Sequence, residues 1–157
     1  ADDGDSTSKY GTKLAMLCRK LQQLRAEDPT SKVILFVQFE GLLRKTSNAI
    51  KEFGISAVQL RGSVNARAHI IDDWQNSDTS ETFVLLLSLG EAASGTNLTA
   101  ASHVVFLHPM LACSQEQAVA QELQAIGRAR RQGQRKTVQV WRFVTADTIE
   151  QSITERH

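Results

Sequence analysis

Three short runs constrain this chain more than any other feature. Residues 32–37, 83–88 and 103–107 read as strands, and within them Val33-Ile34-Leu35-Phe36-Val37, Phe83-Val84-Leu85-Leu86-Leu87 and Val104-Val105-Phe106-Leu107 are apolar at every position. A strand with one wet face alternates apolar and polar residues. A strand apolar throughout must be covered on both faces, as in a parallel sheet with helices on each side.

Between these runs the apolar period lengthens to that of a helix. Leu14, Leu17, Cys18, Leu21 and Leu24 predict a helix over 12–26, ended by Asp28-Pro29. Leu42, Leu43, Thr46, Ile50 and Phe53 predict a second, closed by Gly54. Residues 55–60 read as a strand, and 66–75 as a helix with Ile70, Ile71 and Trp74 inward. A long helix is expected over 115–131, then a strand over 137–144. Asp147, three before Glu150, resembles a capping box and predicts a final helix over 147–155. Strands separated by helices pair in parallel through right-handed crossovers. The expected fold class is α/β, a three-layer α/β/α sandwich with a mainly parallel sheet. In such sheets ligands bind beyond the carboxyl ends of the strands. Chemistry is therefore expected in the loops after Phe39, Leu60, Ser88 and Leu107.

The 157 residues suffice for one domain with a full core. No apolar run approaches the roughly 20 residues of a membrane helix. Residues 1–10 begin with Asp2, Asp3 and Asp5 and read as a flexible acidic tail ahead of a single lobe over 11–157. Cys18 and Cys113 belong to no Cys/His cluster, so buried thiols in a reducing compartment are expected, with no metal ligands. Trp74 and Trp141 read as core rather than base-stacking platforms, and His69, His103 and His108 read as structural because they lack ligand spacing. Net charge is only +1, but Arg128, Arg130, Arg131, Arg135, Lys136 and Arg142 fall in a stretch without an acid.

An ATPase complete in itself needs a phosphate cradle, G-x-x-x-x-G-K-[ST], and an acid for magnesium. None of the nine glycines opens such a loop, and Asp72-Asp73 falls inside a predicted helix. The most specific stretch is instead Gln124-Ala125-Ile126-Gly127-Arg128-Ala129-Arg130-Arg131. Residues three apart share a helix face, so Arg128 and Arg131 can aim two guanidinium forks at one target. Two such forks suit a triphosphate losing its terminal phosphoryl group. An arginine supplied from outside the cradle is worth about 10³–10⁵ in rate, or roughly 4–7 kcal/mol of barrier. Gly127 leaves room for a backbone or phosphate to approach.

This stretch, with Gly133-Gln134 behind it, resembles the sixth helicase motif of superfamily 2 in its Snf2-family form. Lys136 to Thr145 and Thr148-Ile149-Glu150 are similar to the Snf2-family segment C-terminal to that motif. The resemblance covers roughly residues 32–153 and implies the second RecA-like lobe of an ATP-driven translocase, P-loop NTPase-like but without a P-loop. It makes Arg128 and Arg131 arginine fingers, with Gln124, Gly127 and Gly95 near nucleotide. Residues 32–39 resemble the fourth motif, which puts Gln38 near DNA. Gly62-Ser63 with Arg67 resembles the segment after the next strand, and 84–101 the fifth motif, with Ser88 and Asn97 on the DNA backbone. Departures are Arg61 for Asp, Glu91 and Ala92-Ala93 for small residues and a Gly pair, Arg130 for His, and a longer run after His108-Pro109. They fit a divergent member close to the RING-bearing ubiquitin-ligase branch.

The resemblance further implies ATP and Mg2+ held mainly by a first lobe. The expected partners are that N-terminal RecA-like lobe and duplex DNA, free or nucleosomal, with no membrane. The expected location is nuclear, in chromatin remodelling or DNA repair, and the chain alone is expected to be inactive. The altered fifth motif leaves a different class open: a degenerate lobe that only binds DNA or protein. An unrelated flavodoxin-like or nucleotide-binding domain would instead bind free flavin or nucleotide by itself.

Overall fold

The computed structural model describes residues 12–37, 40–76, 82–88, 98, 100–107, 115–129, 138–144 and 148–154. The helix over Thr12–Glu27 (α1) buries Leu14, Leu17, Cys18, Leu21 and Leu24 along one stripe. Asp28 then turns the chain. Its Oδ1 accepts from Thr30 N at 3.0 Å and Thr30 Oγ1 at 2.7 Å, an Asx-turn that delivers the chain into the sheet.

The strands Val33–Phe36 (β1), Ala57–Gln59 (β2), Val84–Leu87 (β3) and His103–Phe106 (β4) are parallel to one another, and Val138–Val144 (β5) joins β4 in parallel. The last strand, Thr148–Thr154 (β6), pairs with β5. Across the sheet the order is β2-β3-β1-β4-β5-β6. The three apolar runs form the three innermost strands of the parallel part, β3, β1 and β4, as their lack of a polar face requires. Successive side chains point to opposite faces. Val33, Leu35 and Val37 enter the layer of α1 and of Glu40–Glu52 (α2), while Ile34 and Phe36 enter that of Val64–Asn76 (α3) and Gln115–Ala129 (α4). In the second layer Phe36 and Phe106 stack at 5.3 Å between centroids. Truncating such a buried Phe to Ala costs about 3–5 kcal/mol.

The helix ends follow local chemistry. At the end of α2, Gly54 N donates to Lys51 O (3.0 Å) and Ile55 N to Ile50 O (3.1 Å). This pair of bonds is a Schellman motif, and Gly54 takes the required positive φ of 76°. At the start of α3, Ser63 Oγ accepts from Ala66 N at 3.2 Å and caps the helix.

The last element departs from expectation. Residues 148–154 form a strand, not the helix expected over 147–155; β6 runs antiparallel to β5, with Val144 opposite Thr148. Ile149 and Ile153 are four apart, a spacing that suits both a helix face and a strand face. Four of the seven residues are β-branched (Thr148, Ile149, Ile153, Thr154), and β5 offers an open edge. Cross-strand pairing then outweighs a capping box whose Asp147 lies outside the described residues. The helix expected over 115–131 is described to Ala129.

Buried polar groups at the amino end of the sheet are paired. Lys32 Nζ donates to the carbonyl of Trp74 at the end of α3, placing a cation on the negative end of that helix. The backbone carbonyl of Lys32 accepts from Ser102 N (2.9 Å) and His103 N (3.2 Å). Trp141 Nε1 donates to His103 Nδ1 at 3.1 Å, and Lys20 Nζ lies 3.7 Å from the Trp141 ring centroid. Both tryptophans are buried, and His103 is a structural acceptor, as their sequence context suggests. Cys18 is fully buried, and loss of solvation pushes its thiol pKa up to about 12. Cys113 lies outside the described residues.

Candidate functional site

The carboxyl ends of β1, β3 and β4 are level. Phe36 is in register with Leu87 and with Phe106. Val37 N donates to Leu87 O (3.1 Å) and Leu107 N to Phe36 O (3.3 Å), extending the ladder by one residue. Half-buried Ser88 therefore emerges on this edge, beside the point where the chain leads into Gln38. Gln38 itself lies outside the described residues. The connection leaving β1 runs through α2 on one face, and that leaving β4 through α4 on the other. Adjacent strands whose connections part in this way open a crevice between them, the usual ligand site of a parallel sheet.

The third contributor to this edge is the start of α3. Gly62, just past β2, has φ of 99°, and a Cβ there would lie 3.1 Å from Ala66 Cβ. Glycine is thus required for the chain to turn into α3, Ser63 caps it, and half-buried Arg67 sits on its first turns. The Gly-Ser pair accordingly has a structural task, which is to set the origin of the helix that carries Arg67.

Gly95 and Asn97 lie outside the described residues, as do Glu91, Ala92 and Ala93. The far end of their loop is tied down. Leu98 is fully buried, Ala101 N donates to Leu98 O (3.2 Å), and Ala100 N donates to Gln75 Oε1 (2.8 Å). Gln75, near the end of α3, therefore positions the return of the loop after β3. Sequence reading missed it because a lone polar residue on a helix carries no long-range signal.

Residues 124–129 of the arginine-bearing stretch lie on the last described turns of α4. Ala125 and Ile126 are buried in the second layer, whereas Gln124 and Gly127 are exposed. Among the described residues, a Cβ added at Gly127 would meet nothing within 4 Å. The backbone of Arg128 belongs to α4 one turn after Gln124. Arg130 and Arg131 lie outside the described residues. A parallel crossover makes α4 run against the strands, from the carboxyl end of β4 toward the amino end of β5. The thirteen helical rises from Gln115 to Arg128 span about 20 Å. The structure thus gathers Ser88, Arg67 and the exit toward Gln38 at one end, and puts Gln124, Gly127 and Arg128 toward the other. Those predicted residues that are described lie toward two opposite ends of the sheet.

Against known families, residues 12–133 match the model of the helicase conserved C-terminal domain. The chain belongs to that family. A DNA (cytosine-5-)-methyltransferase DMT5 of Cryptococcus neoformans var. grubii is 39% identical over 94% of this chain. The DNA repair protein RAD5 of Cryptococcus neoformans var. neoformans is 34% identical over 90% of it. A putative SWI/SNF-related regulator of chromatin from Arabidopsis thaliana is 31% identical over 98% of it. This chain spans 6%, 11% and 17% of those proteins' lengths, respectively. Among solved structures, the C-terminal part of the Fun30 ATPase domain superposes with a TM-score of 0.74, at 23% identity, over 85% of this chain and 41% of that one. The helicase C-terminal domain is therefore RecA-like in fold and of Snf2 type, as its sixth motif suggests.

Proposed function

We propose that this helicase C-terminal domain is the second lobe of an ATP-dependent DNA translocase and acts at both ends of the sheet. The reading rests on one observation. A chain without a phosphate cradle carries Gln124, Gly127 and Arg128 at the end of a helix anchored there by Ala125 and Ile126, which leaves Gln124 and Gly127 open to a partner. In the proposed motor Arg128 and Arg131 reach the γ-phosphate of ATP and Mg2+ held by an N-terminal lobe of the same protein, with Gln124, Gly127 and Gly95 close to the nucleotide. Gln38, Arg67, Ser88 and Asn97 grip the backbone of duplex DNA, free or nucleosomal. Such contacts carry little base information, so binding is sequence-tolerant and salt-sensitive. Lobe closure and opening with each ATP then step the pair along the duplex. The relatives named for DNA repair and chromatin regulation support a nuclear role of that kind.

In the full-length protein, Arg131→Ala is expected to abolish turnover while sparing ATP binding; near-normal turnover refutes the finger assignment. The 157-residue chain alone is expected to release no phosphate from ATP above a buffer control, and clear turnover would mean that it holds a complete site. The Ala92-Ala93 and Glu91 departures favour a second reading, a lobe retained only for DNA or protein binding. Robust stimulation of full-length ATPase activity by duplex DNA eliminates it.

A further inference from the structure

Among the described residues the strand β2 ends the sheet, and a cleft of about 330 Å3 lies along its open edge. Arg44, Asn48 and Lys51 of α2 line it from one helix layer and Ile70 of α3 from the other, with Ala57, Val58 and Gln59 between them. A cleft touching both layers and the strand must lie across the strand's open side. Spacings of four and three place Arg44, Asn48 and Lys51 on one stripe of α2. Arg61, just past the strand, adds a third cation, and no lining residue is acidic. The three cations are exposed, and none has an ion-pair partner among the described residues.

The backbone of β2 offers more than charge. Ser56 O accepts from Val84 N (3.1 Å) and Leu60 N donates to Leu86 O (2.8 Å), both toward β3. In a parallel pair, alternate residues turn both backbone groups to the same neighbour. Ser56, Val58 and Leu60 therefore serve β3, while the N–H and C=O of Ala57 and Gln59 face the cleft. Ala57 packs on the α1–α2 layer and Val58 on the α3–α4 layer. The α2 cations thus flank the face shared by Ala57 and Gln59, and Ile70 flanks the other.

We propose that this cleft binds an extended acidic peptide segment, which adds a strand to β2. Two N–H and two C=O groups, about 6.6 Å apart along the strand, match the alternating donors and acceptors of a peptide. A nucleic-acid phosphate offers acceptors only and would leave both carbonyls unmet. The bound segment turns carboxylates toward Arg44 and Lys51 and apolar side chains toward Val58 and Ile70, so it alternates acidic and apolar residues. Binding of this kind needs neither ATP nor the α4 arginines, so it stands or falls separately from the motor reading.

The test titrates the 157-residue chain into a fluorescein-labelled octapeptide of alternating Asp and Val. Saturable binding is expected, with added protection from amide exchange at Ala57 and Gln59 but not at Val58. Methylating every second backbone nitrogen of the peptide is expected to weaken binding at least tenfold, as is the double variant Arg44→Glu, Lys51→Glu. Gln59→Pro, which removes an edge donor and no bond to β3, should weaken it fivefold or more. If that variant misfolds, the methylated peptide still tests the same hydrogen bonds. Equal binding of the methylated peptide, absence of binding at millimolar concentration, or displacement of the peptide by a stoichiometric 20-base-pair duplex each overturns the proposal. The last outcome would assign the cleft to DNA.

Discussion

Gly127 allows the stability of the lobe to be separated from its proposed work. In the interior of a helix, glycine costs roughly 0.5–1 kcal/mol relative to alanine. Gly127 lies in the last described turn of α4, and at the lower figure its replacement by alanine gains about 0.5 kcal/mol. Among the described residues no atom outside the neighbouring helix backbone lies within 4 Å of the position a Cβ would take, so none of them offsets that gain. Gly127→Ala should therefore raise the stability of the 157-residue chain by about 0.5 kcal/mol. For a domain of this size the thermal midpoint rises by about 1–2 °C. In the proposed motor, however, the same methyl group would occupy the space where the other lobe or its phosphates approach. ATP turnover of the full-length variant should fall at least tenfold, a barrier increase of about 1.4 kcal/mol. Urea unfolding of the chain and phosphate release by the whole protein measure the two quantities. A destabilised chain would mean that α4 itself requires the glycine. A stabilised chain with unchanged turnover would refute the close approach at Gly127, and with it the placement of nucleotide near the end of α4.

Two further outcomes test the rest of the lobe. Gly62→Ala forces a methyl into a backbone with φ of 99° and to 3.1 Å from Ala66 Cβ, and should cost about 2 kcal/mol; a urea midpoint within error of the parent contradicts this origin for α3. Burial raises the Cys18 thiol to about 12, so the protonated form is favoured in the fold, and its contribution is complete below pH 9 and lost as pH rises toward 12. In a Cys113→Ser background, Cys18 should react with iodoacetamide at pH 8 only as fast as the protein unfolds, whereas rapid labelling of the folded chain would contradict its burial.

Much of this architecture is local information. A run such as Val33 to Val37 has no polar face to expose, so it specifies a doubly covered strand without reference to the rest of the chain. The stripe from Leu14 to Leu24 specifies α1 in the same way, and Gly54 and Ser63 specify helix ends through bonds to their near neighbours. The helicase motifs are also readable in order, because each is a short segment. Where their side chains meet is a different matter. Gln38, Gly95, Asn97 and Arg131 lie outside the described residues, and among the rest only Ser88 and Arg67 come to one edge.

Tertiary structure decided what local periodicity leaves degenerate. Strands apolar on both faces can be ordered in several ways with equal hydrophobic satisfaction. The order β2-β3-β1-β4-β5-β6 is selected by which helix layer each crossover can fill. Residues 148–154 fit a helix or a strand by pattern, and the open edge of β5 chose the strand. The basic cleft arises because that same strand order leaves β2 at the border, where Arg44 and Lys51, ordinary solvated cations in sequence, come to flank backbone groups that no described strand pairs. Side-chain pattern is set residue by residue, but a neighbour across space depends on the path of the whole chain.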